Sequence, residues 1–291
     1  MKQFGIIGTA MVTVFALAGA AHAATIQVKG SDTLINLVQR LAEVYMEQAD
    51  DSIAVTGGGS GTGIAAVINR KCDIANSSRL MKTSEIQKAQ TGGVDVKYIA
   101  VAIDGLCVIV SAANPVKNLT KQQIGAIYRG EITNWQEVGG VNMPITLYGR
   151  QSNSGTYVFF MESVLKGDYS KKMNRANGNA QIVESVRADE SGIGYVGVGY
   201  IKNDSRGVTV VKVAAQDGAD YLSPLDSAAV NSGRYPLARP LYQYLNGTPK
   251  GAVRDFLAFE LSPKGQRIVE EEGFFPLPQE YIDFNNKVMG K

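Results

Sequence analysis

Apolar residues along the chain fall into short runs of strand type that alternate with stretches of helical spacing, the rhythm of an α/β sheet with helical crossovers. Residues 25–29 read as a strand and Gly30-Ser31-Asp32-Thr33 as a turn, after which Leu34, Leu37, Val38, Leu41 and Tyr45 share one helix face. The order then returns: a strand at 53–56, a glycine-rich turn at 57–63, a helix at 64–69 and a strand at 72–75. β-Branched runs at 96–101 and 106–110 flank Ile103-Asp104-Gly105, a place for the chain to pass between two lobes. Thr120 with Gln123 forms a capping box for a helix through Tyr128. A strand at 145–148 ends in Gly149-Arg150, and a helix starts near Thr156 and runs toward Leu165. Residues 191–195 and 208–213 read as returning strands and 252–261 as a helix. Ser262-Pro263 supplies the N-cap and first residue of a helix at 264–272. No repeat of fixed period and no low-complexity tract interrupts the pattern.

The first residues follow a different pattern. Met1-Lys2-Gln3 is a short basic start, residues 4–19 are an apolar run, and Ala21-His22-Ala23 is a small-x-small exit. That is the design of a secretory signal peptide spanning 1–23, cleaved between Ala23 and Ala24. The apolar run is short for a membrane anchor, and no stop-transfer charges follow it. Ala24 rather than Cys at the cut argues against a lipid anchor. The mature chain is therefore expected free in the periplasm, long enough for one large domain or two of half the size.

Composition narrows the chemistry. Lys and Arg number 29 against 27 Asp and Glu, so the near-neutral chain lacks the field that holds nucleic acid or an anionic membrane. The single histidine, His22, lies in the segment to be removed. The mature protein is thus without an imidazole metal ligand, a Ser-His-Asp triad or a histidine base, and we expect neither enzyme activity, metal nor cofactor. Cys72 and Cys107 sit in strand-like runs of a chain bound for an oxidising compartment, where a disulfide and two buried thiols are both natural.

Three turns between a strand and a helix carry the remaining signal. Helix N-termini present unsatisfied N–H groups and a positive dipole end, Gly permits close backbone approach, and Ser or Thr hydroxyls add donors that rotate to fit. Gly30-Ser31-Asp32-Thr33-Leu34 has these features, although the same residues suit an ordinary cap. Residues 57–63, GGGSGTG, place five glycines directly before a helix, more than a mere connector needs, and match neither the dinucleotide nor the P-loop pattern. Residues 149–156, GRQSNSGT, add Arg150, whose fork suits an oxyanion. Ser154 in that turn lacks both the nucleophile-elbow context and a histidine partner. A fourth segment, residues 73–79, ends a strand in Ser77, Ser78 and Arg79. All four occupy the carboxyl ends of strands, where open α/β sheets collect their ligands.

These segments, together with Asp104-Gly105, Thr133-Asn134-Trp135 and residues 192–195, occur in an order and spacing that resemble the periplasmic phosphate-binding proteins of ABC transporters, over essentially all of 24–278. The resemblance implies a two-lobe Venus-flytrap fold of type II with two crossing hinge strands, lobe I being 24–105 plus 214–291 and lobe II 106–213. It implies a monomer that closes over one dehydrated phosphate and docks on an inner-membrane permease. Residues carried over by position are Thr33, Leu34, Ser60, Arg150, Ser154, Gly155 and Thr156. Ser31, Asp32, Gly59, Ser78, Arg79 and Asp104 complete the candidate contact set, while Asn134, Trp135 and Tyr195 read as packing. The pattern departs from some relatives at Ser78, which replaces a carboxylate that accepts the ligand proton, leaving Asp32 or Asp104 to serve, with Arg79 as an added donor. Ser152 likewise stands where some relatives have an acid that orients the arginine. Sulfate or molybdate is the alternative ligand, and phosphatase activity a minor alternative.

Overall fold

The computed structural model describes residues 25–290, so the expected signal peptide lies outside the described residues. The strands are β1 Thr25–Gly30, β2 Ser52–Thr56, β3 Ile74–Ser77, β4 Val96–Gly105, β5 Cys107–Ser111, β6 Asn118–Thr120, β7 Thr146–Arg150, β8 Asn174–Ala176, β9 Gly192–Val196, β10 Val208–Ala214 and β11 Ala238–Asn246. They form two sheets, one ordered β2-β1-β3-β11-β4 and the other β6-β10-β5-β9-β7-β8. The chain enters the second sheet at Leu106, the single residue between β4 and β5, and returns to the first after β10.

The helices are α1 Ile35–Met46, α2 Ser60–Ile68, α3 Thr83–Thr91, α4 Lys121–Arg129, α5 Gly155–Phe160, α6 Asn179–Ala188, α7 Ser227–Asn231, α8 Gly251–Glu260, α9 Pro263–Glu271 and α10 Gln279–Val288. Helix α1 buries Leu37, Val38, Leu41 and Tyr45, the face its spacing predicts. The capping box at Thr120 forms, with Thr120 Oγ1 accepting from Gln123 N at 3.2 Å. Ser262 Oγ accepts from Gly265 N at 3.1 Å, with Pro263 in the first turn of α9.

The structure moves several boundaries. Helix α2 starts at Ser60, inside the glycine run, rather than at 64. A Cβ on Gly63 would lie 2.4 Å from the Lys29 carbonyl oxygen, so glycine lets this helix press directly on β1. Strand β3 runs 74–77 rather than 72–75, because Asp73 instead accepts from Gln27 N at 2.8 Å and pairing with β1 begins at Ile74. Strand β4 runs unbroken through Ile103-Asp104-Gly105, where a break was expected. Its partner β11 pairs along the whole length, from Ala238 opposite Gly105 to Asn246 opposite Val96. Beyond Phe160, α5 continues into one π turn, Met161–Leu165.

Strand β11 itself has no clear pattern: ARPLYQYLN does not alternate, and Pro240 argues against a central strand. It is tolerated because β3 pairs only with Tyr242–Tyr244, so at Pro240 the strand has a neighbour on one side only. A bulge between Leu241 and Tyr242 adjusts the register. Trp135 and Tyr195 pack in the interior as expected, the indole Nε1 donating to Ser191 O at 2.9 Å. Cys72 and Cys107 are free thiols. Burial pushes Cys72 up to about 12 and Cys107 well above its ordinary value. Mass spectrometry should therefore show an unchanged mass on reduction, and thiol reagents should label the fully buried Cys107 only in denaturant.

A carboxyl is buried under the first sheet. Glu260 is fully buried, accepts from Gln243 Nε2 at 3.1 Å, and leaves Oε2 unpartnered beside an equally unpartnered Gln243 Oε1. Burial raises its pKa from 4.5 to about 8, so the neutral acid is the native form at neutral pH. With a folded value above the unfolded one, its stabilising effect is fully present below about pH 4.5 and is lost as pH rises toward about 8. Glu260→Gln, which mimics the neutral acid, should leave stability unchanged near pH 4.5 and raise it by pH 8. Urea denaturation of both proteins across this range will check the divergence.

Candidate functional site

Three helices begin at one place. Leu34, Gly59 and Ser154 are the N-caps of α1, α2 and α5, each following a turn from β1, β2 or β7. The caps themselves are largely backbone: Leu34 N donates to Ser31 O at 3.1 Å, and Gly59 takes φ +88°, a left-handed conformation that favours glycine. Ser154 Oγ accepts from Tyr157 N at 3.3 Å. Their convergence gathers backbone dipoles and side-chain hydroxyls from both sheets.

The hydroxyls form one buried cluster. Ser78 Oγ lies 3.1 Å from Ser31 Oγ, 3.3 Å from Ser60 Oγ and 3.3 Å from Thr156 Oγ1. Thr156 Oγ1 in turn lies 3.0 Å from Thr33 Oγ1. Ser31, Thr33, Ser60, Ser78 and Thr156 are each at most 3 % exposed. Because Ser31, Thr33, Ser60 and Ser78 belong to the first sheet and Thr156 to the second, the cluster spans the cleft. Each hydroxyl carries one rotatable proton, and together they can turn several donors toward one anion.

Glycine permits this closeness. A Cβ on Gly155 would sit 2.3 Å from Ser60 Oγ and 2.7 Å from Ser78 Oγ. A Cβ on Gly59 would sit 2.7 Å from the Asn153 carbonyl oxygen. The glycine run and the third turn also bond across the cleft: Gly61 N donates to Asn153 O at 2.9 Å, and Asn153 Nδ2 donates to Gly58 O at 2.8 Å. Tyr200 adds a hydroxyl donated to the Asp32 carbonyl.

Charge enters through arginines. Arg150 is 1 % exposed, donates through Nη2 to Asp32 Oδ2 and, at 2.8 Å, to Asn177 O, and keeps Nε without a partner. Its backbone N–H donates to Tyr195 Oη at 3.1 Å. Asp32 also accepts from Gly58 N at 2.9 Å, so this carboxylate orients Arg150 and the glycine run together. The orienting acid thus comes from the first turn, in compensation for Ser152.

The remaining charged candidates are each paired. Glu85 takes the Arg79 fork, Nη1 to Oε2 and Nη2 to Oε1 at 2.7 Å each, and Arg79 Nε has no partner. Asp32 and Asp104 both carry arginine and backbone donors. Asp32 is held as described, and Asp104 accepts from Val198 N at 2.8 Å and from Arg239 Nε and Nη2 at 3.0 and 2.8 Å. Arg239 went unnoticed in the sequence, where it lies in the irregular strand β11 without a glycine or hydroxyl neighbour. The other candidates, Ser31, Thr33, Leu34, Gly59, Ser60, Ser78, Arg150, Ser154, Gly155 and Thr156, are brought together.

Known proteins share this arrangement of elements. A profile of the PBP superfamily domain matches residues 16–264. Phosphate-binding protein PstS of Pseudomonas aeruginosa is 35% identical over 280 residues, covering 90% of this chain and 85% of that protein. PstS of Staphylococcus saprophyticus is 31% identical, covering 99% and 95%. Among solved structures, an ABC-type phosphate transport receptor from Vibrio cholerae superposes with a TM-score of 0.70 at 28% identity, covering 87% of this chain and all of that one. A protein assigned to phosphate ABC transport as substrate-binding subunit, from Clostridium perfringens and solved with phosphate, reaches a TM-score of 0.78 at 29% identity, with the same coverage. With the two-sheet fold, the converging helix N-termini and these likenesses in hand, the chain belongs to the PBP superfamily and, within it, to the family of the phosphate-binding proteins of ABC transporters.

Proposed function

We propose that this protein is the periplasmic substrate-binding component of an ABC importer, capturing inorganic phosphate between its two lobes and delivering it to an inner-membrane permease. The observation that carries the reading is the buried hydroxyl cluster at the meeting point of three helix N-termini, with the Arg150 guanidinium beside it. The relatives named as phosphate-binding proteins and the phosphate-bound neighbour support the same ligand. The fold supports lobe I as 24–105 plus 214–291 and lobe II as 106–213, with the closed form held by the contacts of the third turn with the first two. Secretion through the signal peptide, action as a monomer and the absence of catalysis complete the reading.

Binding follows from the geometry. Phosphate between the first and third turns would take donors from the Ser31, Thr33, Ser60, Ser78, Ser154 and Thr156 hydroxyls and from backbone N–H groups at the starts of α1, α2 and α5. Arg150 neutralises charge and has an unpartnered Nε to offer. With both nearby aspartates held by arginine, a proton on the ligand would be accepted by a serine oxygen.

Two measurements test this. Arg150→Ala leaves Asp32 and the anion without their cation and should weaken phosphate binding by about 2–5 kcal/mol, at least about thirtyfold, in titration calorimetry. An affinity within threefold of the unmodified protein would show that phosphate binds elsewhere. Gly155→Ala puts a methyl group against Ser60 and Ser78 and should weaken phosphate binding by about tenfold. Gly178→Ala, where a Cβ meets nothing within 4 Å, should leave it unchanged.

A further inference from the structure

Arg239 is 4 % exposed and uses every nitrogen of its fork. Nε and Nη2 donate to Asp104 Oδ2, Nη1 donates to Ser78 O at 3.1 Å, and Nη2 also donates to Thr156 Oγ1 at 3.0 Å. The Phe159 ring covers it, with Cζ 4.8 Å from the ring centre. Arginine only donates, so Thr156 Oγ1 accepts here and must turn its own proton elsewhere. The groups in that direction are Thr33 Oγ1 at 3.0 Å and Ser78 Oγ at 3.3 Å, both in the hydroxyl cluster. Arg239 therefore fixes which way one cluster hydroxyl points. Both acids next to the cluster are paired, Asp104 with Arg239 and Val198 N, and Asp32 with Arg150 and Gly58 N.

We propose that Arg239, held by Asp104, is a positioning residue that sets charge selectivity at this site, orienting Thr156 as a donor and favouring the doubly charged over the singly charged oxyanion. The inference rests on the phosphate reading above. Facing Arg239 are Asp104 on β4, Arg150 on β7 and Tyr195 on β9, while Arg79, Lys82 and Glu162 line the groove on its outer side. Burial pulls the Arg239 pKa down, and Asp104 opposes that pull. Arginine does not lose its proton in the accessible range, so the pH dependence expected here belongs to the ligand.

The test is titration calorimetry with inorganic phosphate at about pH 5.5 and about pH 8.5, on either side of its second ionisation, with sulfate as a ligand doubly charged at both. The unmodified protein should bind phosphate about tenfold or more tightly at the higher pH and sulfate equally at both. The paired substitution Asp104→Asn with Arg239→Gln removes both buried charges together, Asn keeping the shape of Asp and the shorter Gln withdrawing the donor to Thr156. It should weaken phosphate about tenfold at pH 8.5 and less than threefold at pH 5.5, flattening the profile. Arg239→Lys retains the ion pair, loses the forked contact to Asp104 and with it the Nη2 donor to Thr156, and should flatten the profile in the same direction by less, which keeps the test open if the double variant does not fold. A folded variant of either kind whose profile runs parallel to the unmodified one overturns the inference. Failure of the unmodified protein to bind phosphate at either pH overturns the functional reading instead.

Discussion

Two guanidinium groups taken out of water constrain everything around the cleft. A buried arginine is tolerated only where acceptors replace the lost hydration, and removing one partner of such a pair costs about 3–5 kcal/mol. Arg150 meets this need through Asp32 and the Asn177 carbonyl, and Arg239 through Asp104 and the Ser78 carbonyl. The Asp32 pair joins the second sheet to the first. The Asp104 pair lies within the first sheet and reaches across to Thr156. Both aspartates are thereby paired, and Thr156 links Arg239 to the buried hydroxyl cluster.

The second requirement is close approach of backbone. Helices supply N–H donors and a positive dipole end only if nothing blocks their first turn. Glycine at 59 and 61 clears that space against Asn153, at 63 against Lys29, and at 155 against Ser60 and Ser78. A side chain at 59, 61 or 155 would move the two walls apart. Glycine composition, hydroxyl clustering and cleft closure are one constraint seen at three scales.

Much of this was legible in the chain. The turns at Gly30–Leu34 and Gly149–Thr156 and the glycine run between them carry local signals, since capping residues, glycines and a strand-to-helix switch lie within a few positions. The helical face of α1 and the capping box of α4 are similarly local. The unbroken course of β4 was not legible, because its continuity depends on pairing with β11, more than a hundred residues downstream. The start of α2 was hidden because glycine is a poor helix former, and only packing makes glycine favourable there, Gly63 against β1 and Gly61 against Asn153.

The sequence by itself determined the alternating α/β order, the absence of histidine after position 22, and the three turns rich in glycine and hydroxyl residues. Those properties rest on residue type and short spacing. Tertiary structure alone decided the pairing of charges: Arg79 with Glu85, Arg150 with Asp32, and Arg239 with Asp104. Which carboxylate a guanidinium meets depends on where distant strands bring it, and between Asp104 and Arg239 that separation is 135 residues. Burial then makes the choice binding, because an unpaired charge in the interior is too costly to keep.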